Sequence, residues 1–258
     1  MVRFEILGPL RVVDDTEPVR ITARKVELLL ATLLIRAGQV VSVDQLMTEV
    51  WNYNPPRRAT DALYVYVSQL RKLLGRGGPE GAHRIETRAP GYAFNVEEGE
   101  LDLHTFQRLV NQGRDAARER RHTAASEAFG AALDLWRGPA LEELRDGPVI
   151  TGFVTWLDET RLECTEKLIE AKLALGRHSE LIGLLYGLIA DHPLCEPFYR
   201  QLMLALYRCE RRADALMVYR TARETLHKQL GLEPGHALRE LQQRILAADD
   251  FHDERSAV

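Results

Sequence analysis

Along the first twenty-two residues the apolar positions alternate. Phe4, Ile6, Leu10 and Val12 stand between other residues, with a Gly8–Pro9 break, and a period of two predicts strands. A second short run, Val19-Arg20-Ile21-Thr22, follows the polar turn DDTEP. The spacing then lengthens to three and four: Val26, Leu29, Leu30, Leu33 and Leu34 predict a helix ending at Gly38. Gln39-Val40-Val41 reads as extended. Ser42 offers an N-cap, with Gln45 three residues on completing a capping box, and opens a short helix through Leu46, Val50 and Trp51. Pro55 and Pro56 exclude a helix from Asn52 to Arg58, which is therefore a loop. Thr60 is the expected cap of a third helix, whose apolar seam is Leu63, Val67, Leu70 and Leu74. A glycine-rich turn from Gly75 to Gly81 leads to Arg84–Arg88, a tight turn at Ala89-Pro90-Gly91, and an alternating strand Tyr92–Val96. Strands, helix, short strand, helix, loop, helix, hairpin is the order of a winged helix-turn-helix with an extra N-terminal sheet.

After the acidic stretch Glu97-Glu98-Gly99-Glu100 the strand patterns cease, and from Asp102 to about Asp250 the chain reads as successive amphipathic helices. Within them Leu168, Gly176, Leu181, Leu185 and Leu188 recur 34 positions on as Leu202, Glu210, Ala215, Tyr219 and Ala222. That is the period of a tetratricopeptide helix pair, in which small or apolar residues let paired helices approach. Gly113, Ala125, Phe129 and Ala132 make an earlier unit out of that register, and Pro193 falls where such repeats end. A generic helical bundle is the alternative that the same residues allow. The expected architecture is an α+β winged domain over 1–97, an all-α tetratricopeptide-like domain over 102–250 and a flexible tail over 251–258. The whole is mostly α.

Composition adds limits. With 258 residues, 45% of them hydrophobic, the chain is long enough for two cores. It has no apolar run of membrane-spanning length, and its opening, MVRFEILGPLRVVDD, lacks the features of a secretory signal. Three cysteines at wide spacing make a disulfide framework improbable, so a cytoplasmic, nucleoid-associated protein is expected. The net charge of −4 does not advertise nucleic-acid binding, yet residues 57–92 hold seven basic side chains against three acidic ones. Salt screens charge beyond about 10 Å, so a local excess can attract phosphate on an acidic protein.

In a winged helix the third helix enters the major groove and the hairpin touches the backbone or minor groove. With the leucine-rich seam inward, Asp61, Tyr64, Val65, Ser68, Gln69, Arg71 and Lys72 are left for base reading. Gln pairs with adenine, Arg with guanine, and Val65 suits a thymine methyl. Arg57, Arg58 and Thr60 lie at the helix N-terminus, where amide dipoles favour phosphate. On the wing Arg84, Thr87, Arg88 and Tyr92 are expected to hold phosphates or enter the minor groove. Each alone reads more readily as an exposed polar residue; the constellation of basic loop, polar helix face and basic hairpin is stronger than its members.

The strings FEILGPLRV, VSVDQLMTEVW, NPPRRATDALYVYVSQLRKLLG and TRAPGYAFNV, with LDLHTF, LDLWRGPAL and ALMVYRTARETLHKQLGLEPGHALRELQQRIL, resemble the Streptomyces antibiotic regulatory protein family over residues 1 to about 248. The resemblance implies an OmpR-type winged helix joined to a bacterial transcriptional activation domain. It also implies binding of direct repeats in double-stranded DNA by side-by-side protomers at promoters of secondary-metabolite clusters, and recruitment of RNA polymerase holoenzyme through contacts that include the sigma factor. It makes Thr60–Leu74 the recognition helix and Arg84–Val96 the wing, and sets Arg24 and Lys25, at the opening of the first helix, among the DNA-side residues. The loop from Trp51, Asn52, Tyr53 and Asn54 to Arg58 becomes the polymerase-facing segment. Many relatives have polar residues where Tyr64 and Val65 stand. No cofactor, metal or membrane partner is implied. No GxxxxGK(S/T) loop is present for ATP-driven switching, and His178, His192, Cys195 and Cys209 have no metal-ligand spacing. The absence of GxSxG and GxGxxG motifs argues against an enzyme. The other reading is a helical-repeat adaptor or ligand sensor with DNA binding secondary.

Overall fold

A computed structural model describes residues 2–14, 17–75 and 83–247. The middle of the DDTEP turn, the glycine-rich stretch after Gly75, the expected end of the helical region near Asp250 and the expected tail lie outside the described residues. The rest forms two compact units, one within Met1–Gln112 and Ala128–Cys164, the other within Gly113–Glu127 and Thr165–Val258.

The first unit opens with an antiparallel sheet, β1 (Val2–Glu5), β2 (Arg11–Asp14) and β3 (Glu17–Val19), in which Phe4 faces Val12 and Val12 faces Val19. The second extended run therefore ends at Val19, three residues short of the Thr22 that alternation indicates, because the register closes on Val12. Helix α1 (Arg24–Ile35) buries Val26, Leu29, Leu30, Leu33 and Leu34, and the short strand β4 (Val40–Ser42) follows. The Ser42–Gln45 capping box is formed as expected and starts α2 (Val43–Trp51). Helix α3 spans Ala59–Leu74. Its cap departs from expectation: Arg58 is the N-cap residue, with no side-chain cap. Thr60 lies inside the first turn with its hydroxyl 3.7 Å from the Met47 sulfur. The turn through Pro56 does the capping work, since the Ala59 amide donates to the Pro56 carbonyl at 3.0 Å.

Strands β5 (Ile85–Arg88) and β6 (Gly91–Phe94) form the hairpin, and β6 lies between β4 and β5. The alternation expected along Tyr92–Val96 fails because all four β6 residues are buried, so that both faces of the strand are covered. Gly91 is required here, because a Cβ would sit 1.9 Å from the Val41 carbonyl oxygen. The edge-on contact of Phe4 and Phe94, with centroids 5.2 Å apart, joins the two sheets.

Helices α4 (Asp102–Arg118), α5 (His122–Leu133), α6 (Pro148–Ala174), α7 (His178–Asp191), α8 (Glu196–Arg208), α9 (Arg212–Leu230) and α10 (His236–Ala247) follow among the described residues, with a 3-10 turn at Glu142–Leu144. In the second unit α8 packs against α7, α9 and α10. The 34-residue repeat is a repeat of turn geometry. Gly176 and Glu210 both have left-handed backbone, with φ of 79° and 61°. The Arg177 amide donates to Lys172 and the Arg211 amide to Leu206 across each turn. Arg120, φ 56°, makes the same turn between α4 and α5, with the Arg121 amide donating to Ala116.

Candidate nucleic-acid interface

Helix α3 is two-sided. Leu63, Val67, Leu70 and Leu74 are buried, while Asp61, Ser68, Gln69 and Lys72 are exposed, together with Tyr64 (51%) and Val65 (53%). Two large apolar side chains half in water, in the middle of an otherwise polar face, are a poor solvent surface but a usable contact surface. Thr60 is exposed at the start of the helix, as are Arg57 and Arg58 in the approach to it. Arg57 and Arg58 therefore stand at the helix N-terminus, where backbone amides already favour an anion.

The wing residues divide into two groups. Thr87 and Arg88 are exposed, and Arg88 is held by Glu86 at 2.6 Å, a carboxylate that also accepts from Asn95. Arg84 and Tyr92, expected on the phosphate side, are set inside the domain. Arg84 forks onto the buried Glu100 at 2.5 and 2.6 Å and lies over the Phe4 ring. Tyr92 is 6% exposed; burial, with Tyr64 nearby, pushes its phenol above the ordinary range against the pull of Arg71. Arg71 bridges helix and wing. Its guanidinium donates to the Ile85 carbonyl at 3.0 and 2.8 Å and to the Thr87 hydroxyl at 2.9 Å, and it stands 5.8 Å from the Tyr92 ring centre. These contacts fix the hairpin relative to the exposed face of α3.

At the opening of α1, Arg24 pairs with Asp146 through both of its carboxylate oxygens, and the Lys25 ammonium sits 4.9 Å from the centre of the Trp51 ring. Trp51 in turn stacks on Tyr66. Beyond Trp51 the chain passes through two consecutive left-handed residues, Asn52 (φ 45°) and Tyr53 (φ 65°), which leave Tyr53 75% exposed; Asn54 is exposed beside it. A bulky residue at positive φ is costly, so this loop is held in a defined shape.

Several residues that organise this unit were not singled out by pattern. Glu49 is fully buried, and its carboxylate accepts the amides of Val149 and Ile150 at 2.8 and 2.9 Å, capping α6. Asp102 accepts the amides of Ile6 and Leu7 at 2.9 Å; burial pushes its carboxyl upward against those hydrogen bonds and Arg137. The Arg137 amide donates to the Leu7 carbonyl at 2.9 Å, and its side chain reaches the Pro9 carbonyl. One available signal was an acid on an apolar helix face: Glu49 lies between Leu46 and Val50, all three buried.

A buried helical seam, an exposed mixed face, a braced hairpin and a following helical domain define an OmpR-type winged-helix regulator. The model for the C-terminal domain of transcriptional regulatory proteins matches residues 16–94, and that for the bacterial transcriptional activator domain matches 101–246. The chain is 38% identical over 254 residues to the transcriptional regulatory protein EmbR of Mycobacterium tuberculosis, covering 98% of this chain and 66% of the relative. It is 37% identical to the regulatory protein DnrI of Streptomyces peucetius, covering 96% of this chain and 93% of the relative. With the transcriptional regulator RedD of Streptomyces coelicolor the identity is 38%, over 100% and 74%. A solved structure of M. tuberculosis EmbR in complex with a low-affinity phosphopeptide superposes with a TM-score of 0.92 at 38% identity, over 96% of this chain and 65% of that one. The chain belongs to the Streptomyces antibiotic regulatory protein family of transcriptional regulators.

Proposed function

We propose that the chain is a transcriptional activator that reads direct repeats at promoters, of secondary-metabolite genes by analogy with its relatives, and recruits RNA polymerase holoenzyme. The observation that carries the reading is the exposed face of α3, where Gln69, Ser68, Asp61 and Lys72 flank Tyr64 and Val65 opposite a fully buried seam. Gln69 is the adenine-reading candidate and Val65 the thymine-methyl contact. Arg57, Arg58, Thr87 and Arg88 hold phosphates, and Arg71, Tyr92 and Arg84 act by setting the wing. The shaped loop at Asn52 and Tyr53 faces polymerase. Two protomers lie side by side, one per repeat, in a protein of the cytoplasm.

Competition between promoter duplex and random duplex at about 150 mM salt tests this, because phosphate attraction is already weakened there. A sequence-specific reader prefers the promoter by roughly a thousandfold or more. Equal affinity for the two duplexes contradicts the reading.

A further inference from the structure

Helix α3 carries a single acidic side chain, Asp61, in its first turn. The other charged groups of the helix and of its approach are cations: Arg57, Arg58, Arg71 and Lys72. Asp61 is exposed, and among the described residues it makes no hydrogen bond or ion pair, although the exposed Arg57 and Arg58 stand close before it in the chain. Asp61, Val65, Ser68 and Lys72 succeed one another at spacings of four, three and four, which sets them along one stripe of the helix, and all four are exposed. The stripe lies opposite the buried seam of Leu63, Val67, Leu70 and Leu74.

A carboxylate at the start of a helix interacts favourably with the free backbone amides, a small stabilising effect. Against DNA the same charge is unfavourable. The phosphates repel it, and guanine O6 and N7, adenine N7 and thymine O4 turn lone pairs towards it in the major groove. One base edge reverses the sign. The cytosine N4 amino group donates, with no acceptor beside it on the same base; adenine N6 also donates, but next to the N7 lone pair. A carboxylate that reaches the base edges therefore accepts one base and rejects the others, and rejection contributes to specificity as much as attraction does. The N-terminal residues of a recognition helix are the ones that reach those edges.

We propose that Asp61 is a specificity-determining residue that accepts the N4 amino group of a cytosine in each repeat and weakens binding to duplexes without it. The inference rests on the reading of α3 as the DNA-contacting helix, and adds the base that the start of that helix selects. Arg57 and Arg58 attract any sequence through its phosphates; Asp61 opposes that attraction wherever the cytosine is missing.

Selection of bound duplexes from a randomised double-stranded pool, with the full chain as wild type and as Asp61→Asn, tests this. The wild type is expected to enrich cytosine at one position of the selected site by at least about fivefold over the other bases. Asparagine keeps the shape of the side chain but donates as well as accepts, so enrichment at that position falls below about twofold while the other positions keep theirs. Asp61→Asn is also expected to bind random duplex about two- to fivefold more tightly at about 150 mM salt, because one charge that phosphate repels is gone. Asp61 is exposed, and circular dichroism confirms that the variant keeps the fold. The same enrichment at every position in both proteins, or uniformly weaker binding by Asp61→Asn, overturns the proposal and leaves DNA reading by α3 standing. No enriched sequence with the wild type overturns both.

Discussion

Gln69 and Arg71 stand two positions apart on α3 in different surroundings. Gln69 is exposed, whereas Arg71 is committed to the Ile85 carbonyl, the Thr87 hydroxyl and the Tyr92 ring. Gln69→Ala is expected to cost about 1–3 kcal/mol of binding at one base position and to relax specificity there. Arg71→Ala is expected to weaken binding to all sequences alike by loosening the wing; binding to a set of single-substitution duplexes separates the two behaviours. Glu100 gives a pH dependence. Burial raises its carboxyl pKa, but the Arg84 hydrogen bond, the Glu97 amide and the Arg84 charge outweigh that and hold it below the ordinary 4.5. A group depressed in the folded state stabilises fully above its unfolded pKa, and that stability is lost as pH falls through the folded value. Urea midpoints of the wild type should therefore fall below pH 4.5 more steeply than those of Glu100→Gln, which lacks this titration. Residue chemistry was legible where it faces water: the polar side of α3 followed from its buried seam. It was not legible for Arg84 and Tyr92, because a hairpin's sequence does not say that Arg84 will pair with the buried Glu100 or that both faces of β6 will be covered.

Most elements could be read from periodicity and capping, and the Ser42 box shows why: its two hydrogen bonds are made within four residues. The turns of the helical repeat were harder. Left-handed backbone is ordinarily signalled by glycine, yet the chain places Glu210 and Arg120 there, where Gly176 alone carries the signal. Arg84 and Asp102, each bonded to partners far from it in sequence, show the same limit. Glu49 is the clearest case, since the helix it caps begins about a hundred residues later. Glu49→Ala leaves two amides at the start of α6 without their acceptor, which is expected to cost about 3 kcal/mol. A lower urea midpoint with an unchanged m-value checks it. An unchanged midpoint shows that the cap contributes nothing.

In the molecule as a whole, the winged-helix elements share one compact unit with residues 128–164, although the two family models meet near residue 100. The ties are specific: Asp102 on the Ile6 and Leu7 amides, Arg137 on the Leu7 and Pro9 carbonyls, Glu49 on the start of α6, and Arg24 on Asp146. Polar groups satisfied in this way hold a defined orientation, so the exposed face of α3 and the Tyr53 loop keep fixed positions within that unit. Among the described residues no helix is long and apolar enough to cross a membrane, and no cluster of His, Cys, Asp and Glu is arranged to hold a metal ion. The most direct test of activation by DNA reading is footprinting of the purified full chain on promoter DNA, with and without RNA polymerase holoenzyme. Evenly spaced protected repeats, strengthened when polymerase is added, are the predicted result. Absence of protection both with and without polymerase would contradict it.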